Sequence, residues 1–443
     1  MSKHDGEKLT YSRIDEDILK TLQPPTVGWY LLVFLTVSVL SVGAYSWIRQ
    51  ILEGIGNSGK MHPIMWGAYI TNFVFWVGIA HSGTLISAVL FLFRAKWRMP
   101  IYRIAEAMTV FAVATAGLFP IIHMGRPWNF YWLLPVPNQR YLWVNFKSPL
   151  LWDVFAVSTY LTVSVLFFII GLIPDIAAAR DRSTGVRKML YTVCALGWNG
   201  SNNQWRHYTA AYGFFAALAT PLVLSVHSVV SWDFAMSNVP GWHTTIFPPY
   251  FVAGAIFSGL AMVITITIPM RKIFNLEAYL TMWHYEKMAQ LIMFTSGIVT
   301  YAYGIEFFIA WYSNNPYERY QFWFRPFGYY AFAFWMMVTC NCIIPLSLWV
   351  KKWRTNLTWL FICSIFINIG MWFERFNIIL QSLAREYIPY AWGEYHLSWT
   401  DIGITIGAFG WFFTFIVIFV KFFPSMALTE IKEISEVPMR KAH

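Results

Sequence analysis

Charged side chains are scarce. Asp, Glu, Lys and Arg make up 12% of the 443 residues, against about 25% in a soluble domain. That shortage excludes an ordinary water-soluble globule. Cysteine is scarce as well: Cys194, Cys340, Cys342 and Cys363 all lie in or beside apolar runs, with no CxxC or CxxCH pair. Zinc-ribbon, iron–sulfur and c-type haem attachment patterns are therefore excluded, and the four read as small buried hydrophobes. Any electron-transfer centre then belongs to another chain. The polar opening MSKHDGEKLTYSRIDEDILK has no cleavable signal pattern, so the first apolar run is expected to be retained.

What the sequence has in abundance is apolar length. Hydrophobic residues make up 57% of it and aromatics 19%, with a mean hydropathy of +0.49. A bilayer core needs roughly 20 apolar helical residues per crossing. Ten runs are long enough: about 28–48, 65–93, 104–122, 151–172, 208–230, 249–270, 288–311, 329–350, 356–380 and 402–423. An open sheet would leave backbone groups unpaired in lipid, so the expected fold is an all-α integral membrane protein with ten transmembrane helices. With the N-terminus in the cytoplasm, 23 of the 32 Lys and Arg fall on that side and 9 on the other. The bias places both termini in the cytoplasm of a multi-pass protein of the bacterial inner membrane. The net charge of +10 is then mostly a topology signal, and no nucleic-acid partner is called for. Loops 123–149 and 231–248, on the outer side, are rich in aromatics and prolines and read as docked interfacial structure.

Ionisable residues inside or at the rim of a span are costly and usually functional or paired. Here they gather toward the outer side: His123 ends the third helix and Asp153 begins the fourth. His227 and Asp233 lie near the end of the fifth, Glu306 near the end of the seventh, Glu374 and Arg375 near the end of the ninth, and Asp401 opens the tenth. A quinol needs an apolar slot and an acceptor near each hydroxyl, which a neutral His and a carboxylate provide. Trp128, Trp152, Trp232 and Tyr250 are the aromatics available to wall such a ring.

Each of these residues also has a plainer reading. His123 fits a helix C-cap. In SPLLWD (148–153), Ser148 fits an N-cap, Pro149 the first helical position and Asp153 a first-turn acid favoured by the helix dipole. Asp233 fits a solvated loop acid. Glu374 and Arg375, about 100° apart on a helix, are not required to pair with each other. His81 is either a hydrogen-bonded core residue or part of a polar track with Asn72, Ser82 and Thr84 on the second helix and Ser158 and Tyr160 on the fourth. Hydroxyls are common packing residues between membrane helices. Haem ligation by His81, His123 and His227 is disfavoured, because His81 is mid-span and only one outer haem could be served.

HMGRPW (123–128) followed by SPLLWD resembles the His-x-Gly-Arg-Pro … Ser-Pro-x-x-Trp signature of the NrfD, or polysulfide reductase membrane subunit, family, and HSG (81–83) is similar too. The resemblance spans roughly the second to ninth helices. It implies a quinone-interacting membrane subunit without bound cofactors, working beside a partner's outermost iron–sulfur cluster. It also implies two four-helix bundles, helices two to five and six to nine. The expected organisation is a tail 1–27, a first helix and loop 28–60, a bundle 61–248 holding the quinol site, a second bundle 249–400, and a last helix and tail 401–443. With ten helices, Asp153, VHSVVSWDF (226–234) and GWHTTIFPPYFVAGAIFSG (241–259), the chain is most similar to the larger quinol-oxidising membrane subunit of alternative complex III. In that subunit a His and Asp of these segments line the menaquinol site. Carry-over points to His123, Asp153 and Asp233 as catalytic. His227, Arg126 and Arg375 join the four aromatics in binding quinol. The implied partners are a periplasmic iron–sulfur subunit, a multihaem cytochrome c, other membrane subunits and lipid, with all clusters and haems on those partners and no metal on this chain.

Two other classes compete. One is the quinone-reactive anchor of a hydrogenase or of a molybdopterin (polysulfide or dimethyl sulfoxide type) reductase. The other is a secondary transporter, for which matched mid-span helix breaks would be expected; Pro221 and Pro345 interrupt helices five and eight without forming such a pair.

Overall fold

The computed structural model describes residues 11–434, and every regular element among them is helical. Among the described residues ten helices are long and apolar enough to cross a membrane: α1 (Val27–Glu53), α2 (Gly67–Leu92), α3 (Tyr102–His123), α4 (Pro149–Asp181), α5 (Asn202–Ala235), α6 (Phe247–Ile273), α7 (Met282–Tyr312), α8 (Ala331–Trp349), α9 (Leu357–Ala384) and α10 (Trp399–Phe422). Each coincides with an apolar run of the sequence. Helices α4 and α5 are longer than their runs, at 33 and 34 residues, because polar residues at Arg180–Asp181 and Asn202–His207 continue the helices. Pro221 sits inside an unbroken α5. One turn each of α2, α8 and α9 widens to a π turn, at Leu85–Val89, Thr339–Ile343 and Asn377–Gln381. Such widened turns re-aim side chains and are frequent at functional sites.

Helices α2 to α5 pack as a ring, each against the next with α5 closing on α2, and α6 to α9 form a second ring. The rings share a seam in which α2 and α5 lie on α6, and α9 lies on α2. Burial follows from that: 83% of the apolar window of α2 and 78% of that of α6 are buried, but only 11% of that of α1. The central helices accordingly read as apolar all round, and α1 faces lipid. Helix α1 is held instead by α10. A Cβ on Gly407 would lie 2.3 Å from the Gly43 Cα, so the two backbones touch at a Gly403-x-x-x-Gly407 stripe.

The described ends of the chain meet on one face. Lys432 Nζ lies 2.6 Å from Asp15 Oδ1, and Arg98 reaches Glu430 at 2.8 Å. Beneath them, Arg103 is fully buried between Glu106 and Asp175, each at 2.8 Å, and donates to the Gly171 carbonyl at 2.6 Å. Tyr212 completes this network by donating to Glu106 at 3.1 Å. The ends of α3 and α5 and the starts of α4, α6 and α10 lie at the opposite face.

Candidate functional site

At that opposite face two Trp-Asp pairs meet, one from the first turn of α4 and one from the last turn of α5. Pro149 takes the first helical position as expected, but the Ser148 side chain does not cap the helix. Asp153 points inward, only 6% exposed. Its carboxyl group is hydrogen-bonded to that of Asp233, so the solvated-loop reading of Asp233 is corrected. Each keeps one buried oxygen, Oδ1, without a partner among the described residues. Two carboxyl groups in contact can share one proton, which leaves further oxygens able to accept. Trp152 and Trp232 meet edge to face at 5.9 Å beside them. Trp152 is fixed by its indole N–H, which donates to the Phe146 carbonyl at 2.9 Å.

His123, at the end of α3, is engaged by a residue that sequence reasoning passed over. Lys60 Nζ lies 2.9 Å from His123 Nδ1 and donates to the His123 carbonyl at 3.2 Å. Lys60 is buried, with its ammonium 4.1 Å from the centre of the Tyr69 ring. The loop carrying it is pinned by Asp401 Oδ2, which accepts from Gly59 N–H at 2.8 Å, from the Tyr395 hydroxyl at 2.8 Å and from Ser398 N–H at 3.1 Å. A Cβ on residue 59 would fall 2.0 Å from the His396 carbonyl oxygen, so only glycine passes there. Burial pulls the Lys60 pKa down to about 7, with the Asp401 charge opposing the shift. Lys60 therefore changes protonation state easily near neutrality, and its contact with His123 changes direction with it. One signal for Lys60 existed in the sequence: a cation on the side that carries few, a short loop away from the next span.

The remaining candidates separate. His81 is not isolated in mid-span; its ring lies 4.6 Å from that of His227 and 5.1 Å from that of Tyr160. His81 Nδ1 lies 2.5 Å from the Val77 carbonyl oxygen. Tyr160 and Thr84 share a hydroxyl bond at 2.7 Å, Ser82 donates to the Ile256 carbonyl at 2.6 Å, and Asn72 bridges Thr405 and Trp372. Ser158 is exposed on the outside of α4, away from this track. Arg126 and Trp128 are exposed at the rim. Tyr250 and Arg375 lie inside the second ring. Arg375 does pair with its neighbour: Nη1 is 2.9 Å from Glu374 Oε1. Two long side chains can converge even when their Cβ atoms point 100° apart, so of the arrangements the sequence left open this pair takes the mutual one. Trp242, from loop 231–248, is buried and donates to the Ile378 carbonyl at 2.6 Å, so that loop docks on the chain itself. Loop 123–149 instead exposes Tyr141, Leu142, Trp143 and Phe146. No group of three or more His, Cys, Asp or Glu among the described residues is arranged to hold a metal ion.

Comparison with known proteins gives these features a context. The chain is 24% identical over 401 residues to a putative dimethyl sulfoxide reductase membrane subunit of Halobacterium salinarum, covering 86% of this chain and 84% of the relative. It is 22% identical over 381 residues to an Hdr-like menaquinol oxidoreductase integral membrane subunit of Archaeoglobus fulgidus, covering 84% of each. It is 24% identical over 332 residues to a selenate reductase subunit of Mesobacillus selenatarsenatis, covering 72% of this chain and 74% of the relative. The polysulphide reductase, NrfD family description matches residues 56–385, from the loop before α2 to the end of α9. The chain therefore belongs to the NrfD family of membrane subunits of quinone-linked oxidoreductases.

Proposed function

We propose that the chain binds menaquinol at the outer, periplasmic rim of the first helix ring and oxidises it, as the larger quinol-oxidising membrane subunit of an alternative complex III. The observation that carries this reading is the buried Asp153–Asp233 pair, walled by Trp152 and Trp232, at the same membrane face as His123. Oxidation of a quinol releases two protons and two electrons. One proton goes to an accepting oxygen of the aspartate pair. The other goes to His123 Nε2, while the Nδ1 proton passes to neutral Lys60. The electrons leave to an iron–sulfur cluster on a periplasmic partner subunit and on to a multihaem cytochrome. The exposed aromatics of loop 123–149 suit the docking face for such a partner. Trp128 and Arg126 line the mouth. Protons released outside contribute to the membrane gradient, and the track from His81 through Tyr160 and Thr84 supports a further translocation role.

The relatives named for dimethyl sulfoxide and selenate reductases support a second reading. In it the same quinol site feeds a molybdopterin enzyme. Copurification separates the two: a multihaem cytochrome with an iron–sulfur polypeptide favours the first, a molybdopterin subunit the second. The site itself is tested by Asp153→Asn and His123→Ala in the assembled complex. Each is expected to abolish quinol oxidation while assembly persists; full activity in both would discard the site.

A further inference from the structure

We propose that the groove between α1, α6 and α10, on the face where the chain ends meet, seats an anionic phospholipid. Its phosphate rests on Lys421 and Lys20, and its acyl chain is laid along the helices. The inference does not rest on quinol chemistry.

The groove comes from how the peripheral helices pack. Helix α1 lies on α10 and is otherwise little covered, with 11% of its apolar window buried. Trp29 fastens the pair, its indole N–H donating to the Val417 carbonyl at 3.2 Å. Across from them stands α6, and between the two walls lies a cavity of about 800 Å³. Its lining runs from Phe409 to Lys421 on α10 and from Gly28 to Val39 on α1. At a rise of 1.5 Å per residue those stretches are about 18 Å and about 16 Å long. Half of a bilayer core is about 15 Å, so the groove is one leaflet deep. A partner's transmembrane helix would need the full thickness, whereas an acyl chain needs only half.

The two ends of the groove differ in chemistry. The deep end is apolar, at Val39, Phe409 and Phe413, while Lys20, Gln23 and Lys421 stand at the mouth. No carboxylate lines the groove among the described residues. Lys421 is 6% exposed, and its ammonium meets a single acceptor, the Thr21 carbonyl oxygen at 3.2 Å. The next carbonyl, that of Leu22, accepts from the Arg187 guanidinium, which lies 5.8 Å from the Phe422 ring and repels the Lys421 ammonium. Two cations are thus drawn onto neighbouring carbonyls, and neither has a carboxylate partner among the described residues. An ammonium carries three N–H donors, and a buried charge is normally paired. A phosphate at the mouth supplies the missing negative charge, and its oxygens accept from the unused donors. A neutral quinone offers no charge to the lysines, and free phosphate leaves the apolar length of the groove uncovered.

The position gives such a lipid a structural role. The family description covers residues 56–385 and so neither α1 nor α10. A lipid wedged between α1 and α6 fastens that outer pair to the second ring.

The test uses the purified complex, stripped of loose lipid and titrated with dioleoyl phosphatidylglycerol, with bound copies counted by native mass spectrometry. At equal lipid the native complex is expected to hold one copy more than Lys421→Gln. Apparent affinity at that site should fall about tenfold or more in the variant, the scale of one charge-assisted hydrogen bond. Dioleoyl phosphatidylcholine and inorganic phosphate, each at equal concentration, are expected to leave that copy in place. Displacement by either overturns the inference. Leu32→Trp crowds the apolar wall of the groove and spares both lysines, so it should lose the same copy even if the Lys421 variant fails to assemble. A native count in a variant that assembles overturns the proposal. So does a density map that shows a partner's helix or a quinone between α1 and α6.

Discussion

Lys60 places its ammonium 2.9 Å from Nδ1 of His123 and closes the contact with a second bond to the same residue's carbonyl oxygen. The direction of the first bond decides what His123 can do. A charged Lys60 donates to Nδ1, which leaves the proton on Nε2, and the imidazole then presents a donor to the membrane face. A neutral Lys60 accepts from Nδ1–H and frees Nε2 to take a quinol proton. With its pKa drawn down to about 7 by burial, Lys60 is charged below neutrality and neutral above it. Quinol oxidation is therefore expected to rise with pH through about 7. Lys60→Met should flatten that step and lower the rate by about tenfold or more, the scale of one general base, while the complex assembles. An unchanged pH profile in Lys60→Met would remove Lys60 from the mechanism.

The aspartate pair makes a different prediction. Asp233→Asn leaves an amide that donates to Asp153, so the contact and the fold persist while one proton-accepting oxygen disappears. The rate of quinol oxidation is expected to fall by about 10²-fold or more. Binding of a quinone-site inhibitor should stay near native, because the indoles of Trp152 and Trp232 are untouched. Steady-state turnover and inhibitor titration of the same preparation check both halves. Loss of inhibitor binding in step with turnover would make the pair a packing element.

How much of this was legible without coordinates differs between fold and site. All ten spans were, because the bilayer sets a length that apolar runs satisfy whatever their packing. Asp153 and Asp233 stood out as costly residues at one depth, but nothing in sequence spacing says that positions 80 apart touch. Lys60 was hidden by its class: counted with other cations as a topology signal, it gave no hint that a glycine and Asp401 pin its loop indoors. Arg103, Glu106 and Asp175 escaped for a related reason. They sit at the ends of α3 and α4 on the face where the chain ends meet, where a positive-inside count expects charge, and only packing reveals that the arginine is enclosed. The Glu374–Arg375 pairing stayed open because helical geometry fixes Cβ directions and not where long side chains end.

That enclosed triad is the basis of a stability prediction. Arg103 is 1% exposed and pairs with two carboxylates at 2.8 Å each. Removing one partner of a buried ion pair leaves uncompensated charge and costs about 3–5 kcal/mol. Arg103→Met is accordingly expected to destabilise the chain by about that much. The triple variant Arg103→Met, Glu106→Gln, Asp175→Asn should recover part of the loss, because no charge remains stranded. Detergent-solubilised protein unfolded by heat or by denaturing detergent gives the comparison. A triple variant less stable than the single one would mean that the network holds α3 to α4 by its bonds and not by charge balance.

The orientation of the chain determines where the quinol protons go, and exposed single residues can report it. Tyr141 and Tyr390 are 88% and 99% exposed on the face that carries the aspartate pair, and Leu196 is 69% exposed on the face where the chain ends meet. In a Cys194→Ser background, Tyr141→Cys and Tyr390→Cys are expected to react with a membrane-impermeant maleimide added to intact spheroplasts. Leu196→Cys should react only after permeabilisation. The 23 to 9 division of Lys and Arg requires this result if the positive-inside bias sets the topology. The opposite labelling pattern would put Asp153 and Asp233 on the cytoplasmic side. Quinol protons would then be released inside, and their oxidation at this site would no longer contribute to the membrane gradient.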